Sequence, residues 1–252
     1  IMVRSIFGLS KKSGEAPVRS SVPPVHFVAA VGDLHGRLDL LEELWPKIDA
    51  VSRLSSARRR TLIFVGDYVD RGLQSRELVD RLLDGFVGFD TVFLKGNHDD
   101  TLLQFLTDPT IGDAWRNFGG LETLRSYGIA HAPEKNWSQT RSEFAAVLPR
   151  EHAEFFKNLK LHVTIGDYLF VHAGIRPRIP LEDQSETDLL WIRDEFLESP
   201  ANFGRVVVHG HTPTEKPVVR PNRIGIDTGA YMTGRLTALI LEERSRRFLS
   251  TA

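Results

Sequence analysis

Asp33 and His35, Asp67, Asn97 and His98, His172, and His211 stand in five short polar motifs, each following an apolar run. The motifs are Gly32-Asp33-Leu34-His35-Gly36, Gly66-Asp67-Tyr68-Val69-Asp70-Arg71-Gly72, Gly96-Asn97-His98-Asp99, His172-Ala173-Gly174 and Gly210-His211-Thr212. Carboxylate, amide and imidazole donors without any thiolate suit hard or borderline cations, and a neighbouring arginine suits an anionic oxygen. The set is therefore equipped for metal-assisted hydrolysis of a phosphoryl group. Taken singly, a Gly-Asp or Asn-His pair is ordinary turn chemistry. Shared order, residue type and position at strand ends give the five their weight.

Asp33 and His35 alternate at a strand-to-loop bend and can reach one ion, while Asp67 can bridge two ions with its two oxygens. Asn97, His172 and His211 can complete the shell of the second. Without cations, Asp33 and Asp67 would face each other as like charges. The mixed oxygen and nitrogen set suits Mn²⁺, Fe or Zn²⁺ better than Mg²⁺. Two such ions lower the proton affinity of a water held between them, giving a bridging hydroxide that attacks in line with no covalent enzyme intermediate. Arg71 and Arg193 are the expected phosphate clamps, and Asn97 is counted with them among the substrate contacts. His98 is placed to protonate the leaving oxygen. Asp70 is the partner expected to fix its tautomer and raise its pKa.

These residues need rigid elements to hold them. Short runs rich in Val, Ile, Leu and Phe recur at 25–31, 61–65, 91–94, 168–171, 205–208, 223–226 and 236–241, and the first five end at a motif. Between the first three lie amphipathic patterns, one through Leu38, Leu41, Leu44, Ile48 and Val51, the other through Leu78, Val79, Leu82, Leu83 and Phe86. Pro46 interrupts the first and is expected to kink or end it. Strands alternating with helices predict an α/β fold with a largely parallel inner sheet, and ligands gather at the carboxyl ends of such strands. The stretch from Asp99 to Leu161 carries no catalytic motif. Segments 113–127, 142–148 and 151–159 read as a helical insertion beside the site, and 189–197 as a further helix.

At 252 residues the chain can bury the core of a single domain, expected over residues 25–252 after a flexible tail at 1–24. Lys+Arg 32 against Asp+Glu 33 leaves a net charge of −1, which gives no electrostatic case for nucleic acid or an anionic membrane. The absence of cysteine removes disulfides, thiolate nucleophiles and Cys-ligated zinc, and suits a reducing, cytoplasmic setting. No apolar run approaches the roughly 20 residues of a membrane span. The first two dozen residues also lack a secretory signal pattern.

The series GDxHG, GDxVDRG, GNHD, HAG and GHT resembles that of the phosphoprotein phosphatase family of binuclear metallophosphatases, especially its bacterial and phage members, from about Phe27 to Leu241. The resemblance implies a calcineurin-like αββα sandwich with two mixed β-sheets flanked by helices, and Mn²⁺-dependent serine/threonine phosphatase activity on phosphoprotein or phosphopeptide substrates. By the family pattern Asp33, His35 and Asp67 hold the first metal, and Asp67, Asn97, His172 and His211 the second. Arg71, His98 and Arg193 fall on its phosphate-binding and acid positions. Gly119-Gly120, Thr123-Leu124, Ser126-Tyr127-Gly128 and Ile226-Asp227-Thr228-Gly229-Ala230 resemble signatures of a bacterial subgroup. Animal and plant members carry Arg-Ala-His-Gln where this chain has His209-Gly210-His211-Thr212, and a longer C-terminal region that docks regulatory subunits. No regulatory subunit is therefore inferred.

The leading expectation is a serine/threonine protein phosphatase. The alternative is a dinucleoside polyphosphate or other small-molecule phosphoesterase with the same metals, against which the loop Val69-Asp70-Arg71-Gly72 is taken to argue. A non-catalytic module is disfavoured because Asp70, Arg71, His98 and all six ligands are intact. Several polar residues read as structural. His209 ends an apolar run and is expected to pack behind the ligands; His26, His131, His152 and His162 lie outside the motifs; Asp99 reads as a helix N-cap and Asp194 as a surface charge. Asp227 and Tyr231 stand evenly between the substrate border and a tight turn. Trp115, Trp137 and Trp191 are expected to pack, Trp191 against Arg193.

Overall fold

The computed structural model describes residues 20–130 and 136–251. Its strands are β1 (His26–Val31), β2 (Arg59–Phe64), β3 (Asp90–Phe93), β4 (His162–Ile165), β5 (Tyr168–Val171), β6 (Val206–His209), β7 (Val218–Val219), β8 (Arg223–Gly225), β9 (Thr237–Glu242) and β10 (Ser245–Ser250). Its helices are α1 (Leu38–Arg53), α2 (Ser75–Leu83), α3 (Asn97–Thr107), α4 (Gly112–Asn117), α5 (Gly120–Ser126), α6 (Trp137–Val147), α7 (Arg150–Lys157), α8 (Glu186–Trp191), α9 (Asp194–Leu197) and α10 (Ala230–Thr233).

Strand β1 shows how the layers form. It is buried throughout, and successive side chains leave a strand on opposite faces. Phe27, Ala29 and Val31 pack with Leu41, Leu44 and Ile48 of α1, whereas Val28 and Ala30 pack with Phe170 of β5 and Val208 of β6. The same alternation runs through β9, where Ala238 and Ile240 face helices and Leu239 and Leu241 face the other sheet. On the far side Val207 of β6 packs with Leu189 of α8 and Phe196 of α9. Three apolar layers thus separate helices, sheet, sheet and helices, and each fully buried Val, Leu, Ile or Phe contributes roughly 1.5–3 kcal/mol.

The two sheets have the orders β10-β9-β1-β2-β3 and β4-β5-β6-β8-β7. Pairs β1·β2, β2·β3, β5·β6 and β6·β8 are parallel; β1·β9, β9·β10, β4·β5 and β7·β8 are antiparallel. Both sheets are therefore mixed, as the resemblance implies, rather than one largely parallel sheet.

Other expectations need correction. Ser20–Pro24, assigned to the tail, lie on the body: Val22 is buried between the sheets, its N–H donates to the Glu243 carbonyl at 2.9 Å, and Ser21 N–H donates to Asp167 Oδ2 at 2.9 Å. The rest of the expected tail, residues 1–19, and His131 fall outside the described residues. Helix α1 runs on through Pro46, which is exposed, so the carbonyl deprived of its donor can face water. The helix expected over 113–127 is divided into α4 and α5 by Gly119 in the left-handed region, φ 98°. That expected over 189–197 is divided by Ile192 and Arg193, whose φ of −128° and ψ of −103° leave the helical range.

Candidate active site

The carboxyl ends of parallel strands from both sheets converge. Asp33 and His35 follow β1, Asp67 follows β2, Asn97 and His98 follow β3, His172 follows β5, and His211 follows β6. Three of the five motifs turn sharply there: His35, Asp67, Asp70, Arg71 and His211 have φ of 45°, 57°, 71°, 69° and 65°. Left-handed backbone at non-glycine residues is costly and persists where the surroundings enforce it. Two glycines permit the close approach: a Cβ at Gly96 would lie 2.0 Å from Asp67 Oδ1, and one at Gly210 2.0 Å from Asp33 Oδ1.

Hydrogen bonds fix which atoms face the centre. A backbone carbonyl only accepts, so His35 Nδ1–H donates to the Val69 carbonyl and His172 Nδ1–H to the Val65 carbonyl, each at 2.9 Å. Their Nε2 lone pairs each lie 3.5 Å from Asp67 Oδ2. His172 Nε2 and His211 Nδ1 also lie 2.8 Å from Asn97 Oδ1. Asp33 Oδ2 accepts from His211 N–H at 2.9 Å, while Asp33 Oδ1 and His211 Nε2 are buried with no partner among the described residues.

Unshared lone pairs facing a buried carboxylate are what a cation would bind. Two triplets bring ligand atoms within 4.8 Å of one another: His35, Asp67 and His98, and Asp67, His172 and His211. Asp67 belongs to both triplets. The first triplet contains His98 where Asp33 was expected; Asp33 stands beside it with its free oxygen. The residues present thus fit a pair of divalent ions.

Burial drives the titration of the site, modified by its charges. It pushes the Asp67 carboxyl up, but the imidazoles of His172, His98, His35 and His211 outweigh it and hold that group below the usual carboxylate range. Burial takes His35 down to about 3 and His211 to about 2, and also lowers His172. Asp33 is raised by burial and by the neighbouring Asp227 and Asp67, and burial lifts Asp227 to about 6.

His98 behaves differently. Burial opposes its protonation, yet the carboxylates of Asp67 and Asp70 prevail and raise its pKa. Its Nδ1–H donates to Asp70 Oδ2 at 2.7 Å, leaving Nε2 toward the centre, 3.4 Å from Arg71 Nη2. Asp70 is fully buried and is itself held by Thr123 Oγ1–H at 2.7 Å and by Trp115 Nε1–H, 3.1 Å from each oxygen. Asp70 thus fixes which nitrogen of His98 faces the centre.

The arginines contact different parts of the site. Arg71 donates to the Tyr231 hydroxyl and stacks with Cζ 4.3 Å from that ring's centroid. Arg193 makes a 3.3 Å hydrogen bond to Thr212 Oγ1, and its charge helps depress His172 and His211.

Sequence reasoning missed the supporting roles of Trp115, Thr123 and Asp99. Trp115 was expected only to pack. Asp99 is not the N-cap of α3 but its third residue, and its carboxylate accepts from the N–H groups of Gly96, Asp67 and Tyr68 at 2.8, 2.8 and 2.9 Å. Tyr231 joins the site through Arg71, whereas Asp227 does form the turn, accepting from Gly229 N–H at 2.8 Å. Spacing held partial signals: Asp99 is three residues past the glycine cap, as in a capping box, and Thr123 lies in the subgroup signature. His209 stays outside both triplets, bonded to the Gly210 carbonyl at 3.0 Å and near Arg223 Nη1 at 3.3 Å. Trp191 meets the rings of Phe118 and His211.

The family model for calcineurin-like phosphoesterases matches residues 28–239. The chain belongs to that family. Among curated proteins it is 28% identical to the bis(5'-nucleosyl)-tetraphosphatase PrpE of Anoxybacillus flavithermus, over 83% of this chain and 88% of the relative. It is 27% identical to the protein of the same name from Oceanobacillus iheyensis, over 88% of this chain and 90% of that one. A solved diadenosine tetraphosphatase candidate superposes with a TM-score of 0.62 at 22% identity, covering 92% of this chain and 99% of that one, which supports the two-sheet fold. The chain is thus a phosphoesterase by family. These relatives run against the expectation that the Val69–Gly72 loop separates it from dinucleoside tetraphosphatases.

Proposed function

We propose that this protein hydrolyses dinucleoside polyphosphates. The reading is carried by its similarity, across most of both chains, to relatives named bis(5'-nucleosyl)-tetraphosphatase. It replaces the serine/threonine phosphatase expectation, for which the motifs alone had spoken.

In this reading Asp33, His35 and Asp67 hold one divalent ion and Asp67, Asn97, His172 and His211 the other. When bound, two divalent ions would supply Lewis acidity and a water deprotonated near neutral pH. Arg71 and Arg193 grip phosphate oxygens and hold the chain in line. Water oxygen bonds to phosphorus, the bridging P–O bond breaks, and the electron pair leaves with the departing nucleotide. His98 Nε2–H is positioned to protonate that oxygen, with Asp70 holding the ring. Asn97 orients the phosphoryl group beside the ions.

The test is purified protein with Mn²⁺, assayed on diadenosine tetraphosphate and on phosphoserine and phosphothreonine peptides. A higher kcat/KM for the dinucleotide is expected. A marked preference for the peptides would restore the protein-phosphatase reading and leave the metal site intact.

A further inference from the structure

The chemistry so far accounts for phosphate and not for the two nucleosides at its ends. Phe118 and Trp191 form a pair of rings at the mouth of the site, with centroids 5.9 Å apart and planes inclined by 49°. Phe118 meets the His98 ring at 5.8 Å, and Trp191 meets that of His211 at 6.2 Å. The pair therefore spans the gap between the acid and the second metal cluster.

Neither ring is consumed by the core: Phe118 is 36% exposed and Trp191 half-buried. Each is also tied to a phosphate-binding arginine. Phe118 precedes Gly119, whose carbonyl accepts from Arg71 N–H at 3.1 Å, and Trp191 lies two residues before Arg193. The backbone of each phosphate-binding arginine is thus held within two residues of one of these partly open rings, Arg71 through its bond to Gly119 and Arg193 along the chain.

We infer that Phe118 and Trp191 are a platform on which a nucleobase of the substrate stacks while Arg71 and Arg193 hold its phosphates. Every base presents a flat π-face, so such a platform selects nucleotides over phosphorylated aliphatic side chains without choosing among bases. A compact phosphoserine would leave these rings uncovered. The inference rests on the dinucleotide reading and assigns its specificity to two residues that touch neither metal.

The test compares diadenosine tetraphosphate with methyl triphosphate, which keeps the phosphoanhydride and lacks a base. In Phe118→Ala and Trp191→Ala the ratio of kcat/KM for the two substrates should fall by roughly 5- to 150-fold, mostly through KM for the dinucleotide, the range of one lost base stack. Trp191→Phe should recover most of the ratio because a ring is retained. In the wild type, binding of a methylene-bridged dinucleoside tetraphosphate should quench tryptophan fluorescence, and Trp191→Phe should remove that component. Equal losses on both substrates, or none on either, with wild-type preference for the dinucleotide intact, would overturn the platform alone. A wild-type enzyme that prefers phosphopeptides would overturn the platform and the proposed function together.

Discussion

On the floor of the site, His35 and His172 each spend one ring nitrogen on a backbone carbonyl at 2.9 Å, and the Asp99 carboxylate ties down three N–H groups around Asp67. At the rim, Arg193 has a hydrogen bond of 3.3 Å to Thr212, and Phe118 and Trp191 are partly open. The floor is thus oriented by the fold before any ligand arrives, while the rim can adjust to what enters. Damage to the floor should strike metal affinity and kcat. Damage to the rim should strike KM and the choice of substrate.

The largest effect should come from the one carboxylate shared by both triplets. Asp67→Asn halves the charge sites available to two cations and should lower both bound metal, read by elemental analysis, and turnover, to background. Removing divalent ions from the wild type with a chelator should do the same, and Mn²⁺ should restore only the wild type. Full turnover in metal-stripped protein would break the division between floor and rim at its root.

Next is the acid. General acids contribute roughly 10²- to 10⁴-fold, and their value rises with the basicity of the leaving oxygen. His98→Asn should therefore lose about that much on an alkyl phosphate and much less on a polyphosphate, whose leaving group is already a stable anion. Asp70→Asn should follow the same pattern, since it disturbs the tautomer rather than the phosphate grip. Equal losses on both substrates would remove His98 from proton transfer.

The arginines sharpen the comparison within the rim. A hydrogen bond to a charged group is worth about 1.5–3 kcal/mol, so Arg71→Ala and Arg193→Ala should each raise KM roughly 10- to 150-fold. Arg71 also touches His98 and is fixed by Tyr231, so its loss should lower kcat as well. Arg193→Ala should leave kcat nearer the wild type. Kinetics on the same dinucleotide separate the two.

These assignments were unevenly legible in the sequence. The motifs were readable because strand ends are marked by apolar runs, and because metal donors have a restricted chemistry. Three of the four edge strands were not: β10, Ser-Arg-Arg-Phe-Leu-Ser, is largely exposed and carries Arg246 and Arg247, and β4 and β7 have no buried run. Charges suit an unpaired edge and erase the pattern by which strands are recognised. Trp115 reaches Asp70 from 45 positions away and Tyr231 reaches Arg71 from 160, so only the fold could reveal them. Gly119 was visible, but its left-handed turn, which divides a helix and carries Phe118 to the site, depends on contact with the Arg71 backbone.

The smallest effect separates an imidazole of the frame from those of the floor. Cations would reset the titration of His35, His172 and His211, so acid sensitivity there mixes protonation with metal loss. His26, on β1, is apart from both triplets: its Nε2 lies 2.8 Å from Thr61 Oγ1, and burial, then the charge of Arg59, lowers its pKa below the ordinary 6.5. Protonation is thus harder in the folded state than in the unfolded one. Its contribution to stability is fully present above pH 6.5 and is lost as pH falls through the lower folded value. His26→Gln keeps a polar group near Thr61 and removes the titration, so its urea midpoint should decline less than that of the wild type on acidification below pH 6.5. Chelator-treated samples should show the same difference between the two proteins, because no metal donor is involved. An unchanged slope would mean that His26 takes up its proton equally well in both states, and that acid lability belongs to the floor alone.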